Sequence, residues 1–127
     1  MADGTYEITV ETVFPAAHTL RLPDGSDEPL HGHNWQVAVT VARAGLDAME
    51  TVMDFHELER IVETIIAPWR NQHLNEQPPF VDQGVNPSAE RVAWWIGKQT
   101  AAQLPEGVRL VDVRVGEAPG CTAVYRP

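Results

Sequence analysis

Residues 34–45, NWQVAVTVARAG, set Trp35, Val37, Val39 and Val41 against Gln36, Ala38, Thr40 and Ala42. Successive side chains of a strand point to opposite faces, so this stretch predicts a strand with one face in a core. Such a strand needs partners along its edges and an apolar layer over its inner face. The chain supplies both. TYEITVETVF, 5–14, also alternates, although Ile8, Val10 and Val13 do not share a parity, which predicts a bulge. RLPDGSDEPL, 21–30, is rich in Pro, Gly and Asp and reads as a loop. Asp54 and Glu57 then have the spacing of a capping box, and Leu58, Ile61, Val62, Ile65, Ile66 and Trp69 recur at helical spacing. NQHLNEQPPFVDQGVN, 71–86, reads as a long loop of the kind that often carries function. A second helix opens at Asn86 or Ser88 and buries Val92, Trp95 and Ile96. VRLVDVRVGEA, 108–118, and CTAVYRP, 121–127, are strands joined by a tight Pro119-Gly120 turn. The order strand, strand, helix, helix, strand, strand predicts one α+β domain over 1–127, an antiparallel sheet with its helices on one face.

A chain of 127 residues has room for one such core. Its 18 acidic against 9 basic residues give a formal net charge of −9. That argues against nucleic acid as the main partner, because phosphate binding needs a basic surface. No apolar run reaches the roughly 18 residues of a transmembrane helix, and the acidic MADGTYEITVE has no apolar segment of the secretory kind. The expectation is therefore no membrane and a cytoplasmic location. The single cysteine, Cys121, excludes an internal disulfide, suits a reducing compartment and reads as a small buried residue.

LHGHN places His31 and His33 two residues apart at the mouth of the second strand. If the segment is already extended, both imidazoles share a face and can reach one metal ion, with nitrogen–zinc distances of about 2.0–2.1 Å. His18, in FPAAHTL, lies near the end of the preceding strand, and a hairpin between the two strands would bring it close. Three neutral histidines with one open position form the pattern of a catalytic zinc site. The alternative is three histidines that cap turns or hydrogen-bond in the core, and spacing alone leaves both open.

FPAAHTL, LHGHNWQVAVTV, MDFHELERIV, HLN, NPSAERVAWWI and VRVGEAPGCTAVYR occur in one order along the chain. In these segments the sequence resembles the 6-pyruvoyl-tetrahydropterin synthase family, which includes the 6-carboxy-tetrahydropterin synthases of queuosine biosynthesis. The resemblance implies the tunnelling fold: a four-stranded antiparallel sheet with two helices, oligomerising edge to edge into a β-barrel, usually a trimer stacked into a hexamer with active sites between subunits. It implies Zn²⁺ on His18, His31 and His33. It also implies a pterin anchor at Glu117, whose carboxylate would accept paired, charge-assisted hydrogen bonds from the ring N–H and exocyclic amine.

Three positions depart from the family pattern. The family's cysteine base, four residues before the first histidine of HGH, is here Asp27, followed by Glu28. Its Asp-His pair falls on Arg70 and Asn71, with His73 two residues late. Arginine takes no proton at neutral pH and asparagine does not titrate. Asp27 or Glu28 could serve as base if burial raises its pKa; the alternative is that both are solvated loop charges. A branch of the family uses a glutamate in place of the cysteine and cleaves the pterin side chain. Arg70 could bind a carboxylate or phosphate bidentately, or could be a surface arginine at a helix C-terminus. Trp69, Trp94 and Trp95 read as core or interface residues, and His56 as a solvated first-turn residue.

Three functions follow as expectations. The first is a zinc-dependent lyase on a reduced pterin side chain with an altered acid/base set. The second is a relative recruited to amine–aldehyde condensation or cyclisation, with Arg70 holding an acid group. The third is a non-catalytic oligomer that binds a pterin-like ligand.

Overall fold

Two 14-residue strands, β1 (Thr5–His18) and β2 (His31–Ala44), form an antiparallel hairpin in a computed structural model that describes residues 4–127; the first three residues of the acidic N-terminal segment lie outside it. Their register runs unbroken from Thr5 opposite Ala44 to His18 opposite His31. The bulge expected in β1 is therefore absent, and Val13 simply faces outward, 47% exposed. The irregularity falls between Thr40 and Val41, where β2 pairs with a later strand over Val108–Ala118.

The segment 71–86 is not structureless. Gln72–His73 form a short strand, β3, parallel to β1 at Ala16 and Ala17. Leu74–Glu76 make a 3₁₀ turn and Phe80–Gln83 a one-turn helix. With β4 (Val108–Ala118) and β5 (Cys121–Tyr125) the sheet has five strands in the order β3-β1-β2-β4-β5. It is mixed, which corrects the expectation of four antiparallel strands. The added strand is two residues of edge pairing, too short to leave a period in the sequence. The β4–β5 turn is Pro119-Gly120 as expected, with Gly120 at φ +81°, a conformation open to glycine at little steric cost.

Numbering the helices in chain order, α1 is Phe55–Ile66, α2 is Phe80–Gln83 and α3 is Ala89–Ala101. Asp54 caps α1 by accepting from the His56 N–H at 2.9 Å. The capping box does not close, because the Glu57 carboxylate pairs with Arg60 instead. Ser88, of the two candidates, caps α3 and accepts from the Arg91 N–H. Leu58, Ile61, Val62 and Ile66 of α1 and Val92, Ala93 and Ile96 of α3 share one core with Phe14, Trp35, Val37, Val39, Val41, Val113 and Val115. Phe14 stacks on Trp35 at 6.1 Å and touches Trp69 at 5.7 Å. Burial of each such large side chain stabilises by about 1.5–3 kcal/mol. The effect is a rigid floor that ends at the C-terminal end of β1. No helix among the described residues is long and apolar enough to cross a membrane.

A candidate metal centre at the end of the sheet

The inner face of the hairpin runs Phe14, Ala16, His18 along β1 and Trp35, His33, His31 back along β2. Residues two apart on a strand share a face, as do residues opposite one another across the pair. The three imidazoles thus continue the core face beyond Trp35, and Glu117 continues it beyond Val113 and Val115 on β4. His18 is fully buried, His33 and Glu117 are partly covered, and the His31 ring is 40% exposed. The ring centroids of His18, His31 and His33 lie 4.6–5.0 Å apart. The Trp35 ring meets His18 and His33 edge-on, and its Nε1 donates to the Ala16 carbonyl at 3.1 Å.

Two asparagines fasten the loop between β1 and β2, and neither was singled out as a site residue. The Asn75 side chain accepts from the Thr19 N–H at 2.9 Å and donates to the Thr19 carbonyl at 2.8 Å. Asn86 does the same to Arg21, at 2.8 and 3.0 Å. Each amide imitates a strand neighbour for one residue. The only sequence signal was that HLN and NPS stand among the segments of the family resemblance.

The protonation pattern follows from these partners. His18 Nδ1 lies 2.8 Å from the Pro87 carbonyl, and His31 Nδ1 lies 2.8 Å from the Pro29 carbonyl. A carbonyl only accepts, so each Nδ1 carries its hydrogen and each neutral ring presents an Nε2 lone pair. Those two Nε2 atoms are 3.0 Å apart, and Glu117 Oε1 is 2.8 Å from His18 Nε2. His33 Nε2 is 3.2 Å from the same oxygen, off the line of a hydrogen bond, and is shielded from solvent without a partner. Burial holds the His33 imidazolium below the ordinary histidine range; Glu117 opposes this, and His18 and His31 reinforce it. Acceptors therefore converge with no donor between them unless a proton or a cation sits there. The four ligand atoms lie within 4.8 Å of one another. Two nitrogens on one tetrahedral ion stand about 3.3 Å apart. The residues present fit a metal ion.

The remaining candidates separate. Glu28 is at the cluster: its Oε1 accepts from the Leu20 N–H at 3.1 Å and lies 3.9 Å from His31 Nε2, while its carbonyl accepts from the Thr19 hydroxyl. Asp27, one residue earlier, is exposed and pairs through its backbone with Arg21. The Arg70 guanidinium binds Glu63 with two hydrogen bonds, at 2.9 and 2.7 Å, and donates to the Val13 carbonyl at 3.0 Å. It lowers the Glu63 pKa, and Glu63 raises that of Arg70. Arg70 therefore ties α1 to the edge of β1. Asn71 holds a left-handed turn, φ +59°, and its N–H donates to the Pro15 carbonyl at 2.7 Å. Trp69 is core, whereas Trp94 is half-buried beneath Arg91. His56 is 91% exposed in the first turn of α1. Cys121 is exposed, correcting the expectation of a buried residue: it begins β5 just beyond the turn, where the inner layer has ended.

Three imidazoles and a carboxylate at one end of a sheet, over a two-helix layer, form a set that could hold a metal ion in an α+β domain. Residues 7–127 match the 6-pyruvoyl tetrahydropterin synthase family, and the chain belongs to that family. It is similar to a dihydroneopterin monophosphate aldolase of Pyrococcus furiosus, 32% identical over 82% of each chain. It is also similar to a putative 6-carboxy-5,6,7,8-tetrahydropterin synthase of Archaeoglobus fulgidus, 31% identical over 87% of this chain and 86% of that one. The 6-pyruvoyl tetrahydropterin synthase of Caenorhabditis elegans has the same fold, with a TM-score of 0.85 at 19% identity, covering 100% of this chain and 99% of that one.

Proposed function

We propose that the protein is a zinc-dependent lyase that cleaves the side chain of a reduced pterin, with Glu28 as its base. The observation that carries this reading is the Glu28 carboxylate held 3.9 Å from His31 Nε2 by the Leu20 N–H, beside the converging ligand atoms. The similarity to an aldolase acting on dihydroneopterin monophosphate supports cleavage as the reaction class.

His18, His31 and His33 would hold the ion, which when bound polarises an oxygen of the substrate side chain. Glu117 is the acceptor offered to the ring N–H and exocyclic amine. Glu28 takes the proton of a side-chain hydroxyl. The adjacent carbon–carbon bond breaks, its electron pair moves to the carbon attached to the ring, and that carbon receives a proton. The products are a 6-hydroxymethyl dihydropterin and a short aldehyde. Asp27 faces solvent and takes no part. Arg70 is occupied by Glu63, so nothing favours it as the holder of an acid group in the condensation reading. As the family resemblance implies, we place the sites between subunits of a cytoplasmic trimer or hexamer.

The test is turnover of 7,8-dihydroneopterin and its mono- and triphosphates by zinc-loaded protein, with the aldehyde trapped and products resolved by HPLC–MS. Glu28→Gln loses about 10²–10⁴-fold in rate with zinc content unchanged, and Asp27→Asn retains the rate. Folded, metal-loaded protein that yields no product would refute the assignment.

A further inference from the structure

Glu117, the acceptor proposed for the pterin ring, has its carboxylate at the histidines. Its Oε1 lies 2.8 Å from His18 Nε2 and 3.2 Å from His33 Nε2, and His18 Nε2 lies 3.0 Å from His31 Nε2. Among the described residues its ion-pair partners are these two histidines, with no arginine or lysine. The four ligand atoms fall within 4.8 Å of one another. Nitrogen and oxygen ligands on one tetrahedral zinc ion stand about 3.3–3.6 Å apart. The three separations approach that spacing from below, where lone pairs repel unless a cation lies between them. Carboxylate oxygen is an ordinary zinc donor, so three imidazoles and this oxygen make a complete tetrahedral set.

The backbone treats Glu117 differently from the histidines. β4 and β5 pair Gly116 with Thr122 and Ala118 with Cys121, so Glu117 is an extra residue on β4, a bulge. The pairing of β4 with β2 ends one residue earlier, at Gly116 opposite Gln36. A bulge re-aims a side chain and leaves its residue out of the ladder. The histidines lie on paired residues, His18 opposite His31 and His33 opposite Ala16. The Glu117 side chain is 30% exposed, and it also lines a pocket of about 330 Å³ with Glu90 of α3 and Cys121 and Thr122 of β5. The carboxylate therefore has room to leave the cluster, and the three imidazoles do not.

We propose that Glu117 is a fourth metal ligand in the free protein and leaves the ion when a pterin ring arrives; the second half rests on the lyase reading. Paired hydrogen bonds from the ring N–H and the exocyclic amine take both carboxylate oxygens, one each. The ring therefore competes with the ion for Oε1. Departure of Glu117 opens the coordination position that the substrate needs. A filled tetrahedral set is the mark of a structural zinc site and an open position that of a catalytic one. Here one side chain converts the first into the second, and does so only when the ring is in place.

The test loads wild type, Glu117→Gln and Glu117→Ala with cobalt(II), whose visible spectrum reports its ligands, and adds azide as the probe of an open position. Azide leaves the wild-type spectrum unchanged and shifts that of both variants. Competition against a chromophoric chelator gives a second readout. Glu117→Gln binds zinc at least about 100-fold more weakly than wild type, since loss of an outer-shell partner already costs about 10–100-fold. Neopterin shifts the wild-type cobalt spectrum as Glu117 exchanges the ion for the ring. A wild-type spectrum that azide shifts, wild-type protein that takes up no cobalt, or a Glu117→Gln variant with wild-type zinc affinity overturns the fourth ligand. The first two arms need no variant to fold. A wild-type spectrum that neopterin leaves unchanged overturns the exchange. None of these readouts depends on turnover. Protein that converts no pterin but gives the expected azide and zinc results loses the lyase reading and keeps the ligand, whereas active protein whose spectrum azide shifts loses this inference alone.

Discussion

Zinc should stabilise this protein by an amount that the histidine geometry lets one anticipate. In the metal-free cluster, the acceptor His18 Nε2 lies 3.0 Å from His31 Nε2 and 2.8 Å from Glu117 Oε1, themselves acceptors, with the Nδ1 hydrogens committed to Pro87 and Pro29. An ion that binds the folded state alone stabilises it by about 4.1 kcal/mol at a thousandfold excess over Kd. For a domain of this size each kcal/mol is worth about 3–5 °C, so zinc should raise Tm by about 12–20 °C. Loss of an outer-shell partner typically weakens metal binding 10–100-fold, so loss of a ligand should weaken it at least about 100-fold. At the same zinc concentration His33→Ala would then retain about 1.4 kcal/mol, a gain of only about 4–7 °C. The assay is calorimetry of chelator-treated protein with and without zinc, near neutral pH, for wild type and His33→Ala. A wild-type Tm that zinc leaves unmoved would refute the reasoning.

Three further outcomes are expected. Trp35→Ala removes a fully buried ring that floors His18 and His33, and should cost about 3–5 kcal/mol by urea denaturation while weakening zinc binding measured by competition. Asn75→Ala removes both hydrogen bonds to Thr19 and should cost about 1–3 kcal/mol, lowering turnover more than zinc affinity because Glu28 lies in the loop that Asn75 fastens. Arg70 depresses the Glu63 pKa, so their pair contributes stability above the ordinary value of 4.5 and loses it as pH falls through the lower folded value. Half-exposed Glu63 limits the effect to about 0.5 kcal/mol, so Glu63→Gln should differ from wild type by that amount at pH 7 and not at all below the folded pKa.

The sequence made the metal cluster legible because strand geometry is periodic. Once His31 and His33 lie in a strand, parity alone puts them on the Trp35 face, and the hairpin brings His18 opposite His31. The reach of β1 was harder to see, since PAAH carries no alternation and Pro15 argues against a central strand. Pro15 is tolerated because its carbonyl faces the outer edge, where it accepts from Asn71, so the missing N–H breaks no bond to β2. The choice between Asp27 and Glu28, and the ion pair that occupies Arg70, depend on side-chain contacts made by residues far apart in sequence. Loops and edges are fixed by such contacts, with no repeat for a reader to find.

That difference also bears on how such a site could change its chemistry. The candidate ligands His18, His31 and His33 cannot move singly, because a one-residue slip of β1 against β2 would turn the whole inner face outward, Phe14 and Trp35 included. Glu28 is under no such restraint. Glu28 is placed by one hydrogen bond from the Leu20 N–H and by the Asn75 and Asn86 clamps on its loop. A replaced base therefore disturbs a few local bonds and none of the core. In the proposed lyase the strands would set the ion's position, and the loop that carries Glu28 would set proton removal. For the proposed lyase the base is consequently to be sought in the loop between β1 and β2, at Glu28, and the metal in the histidines.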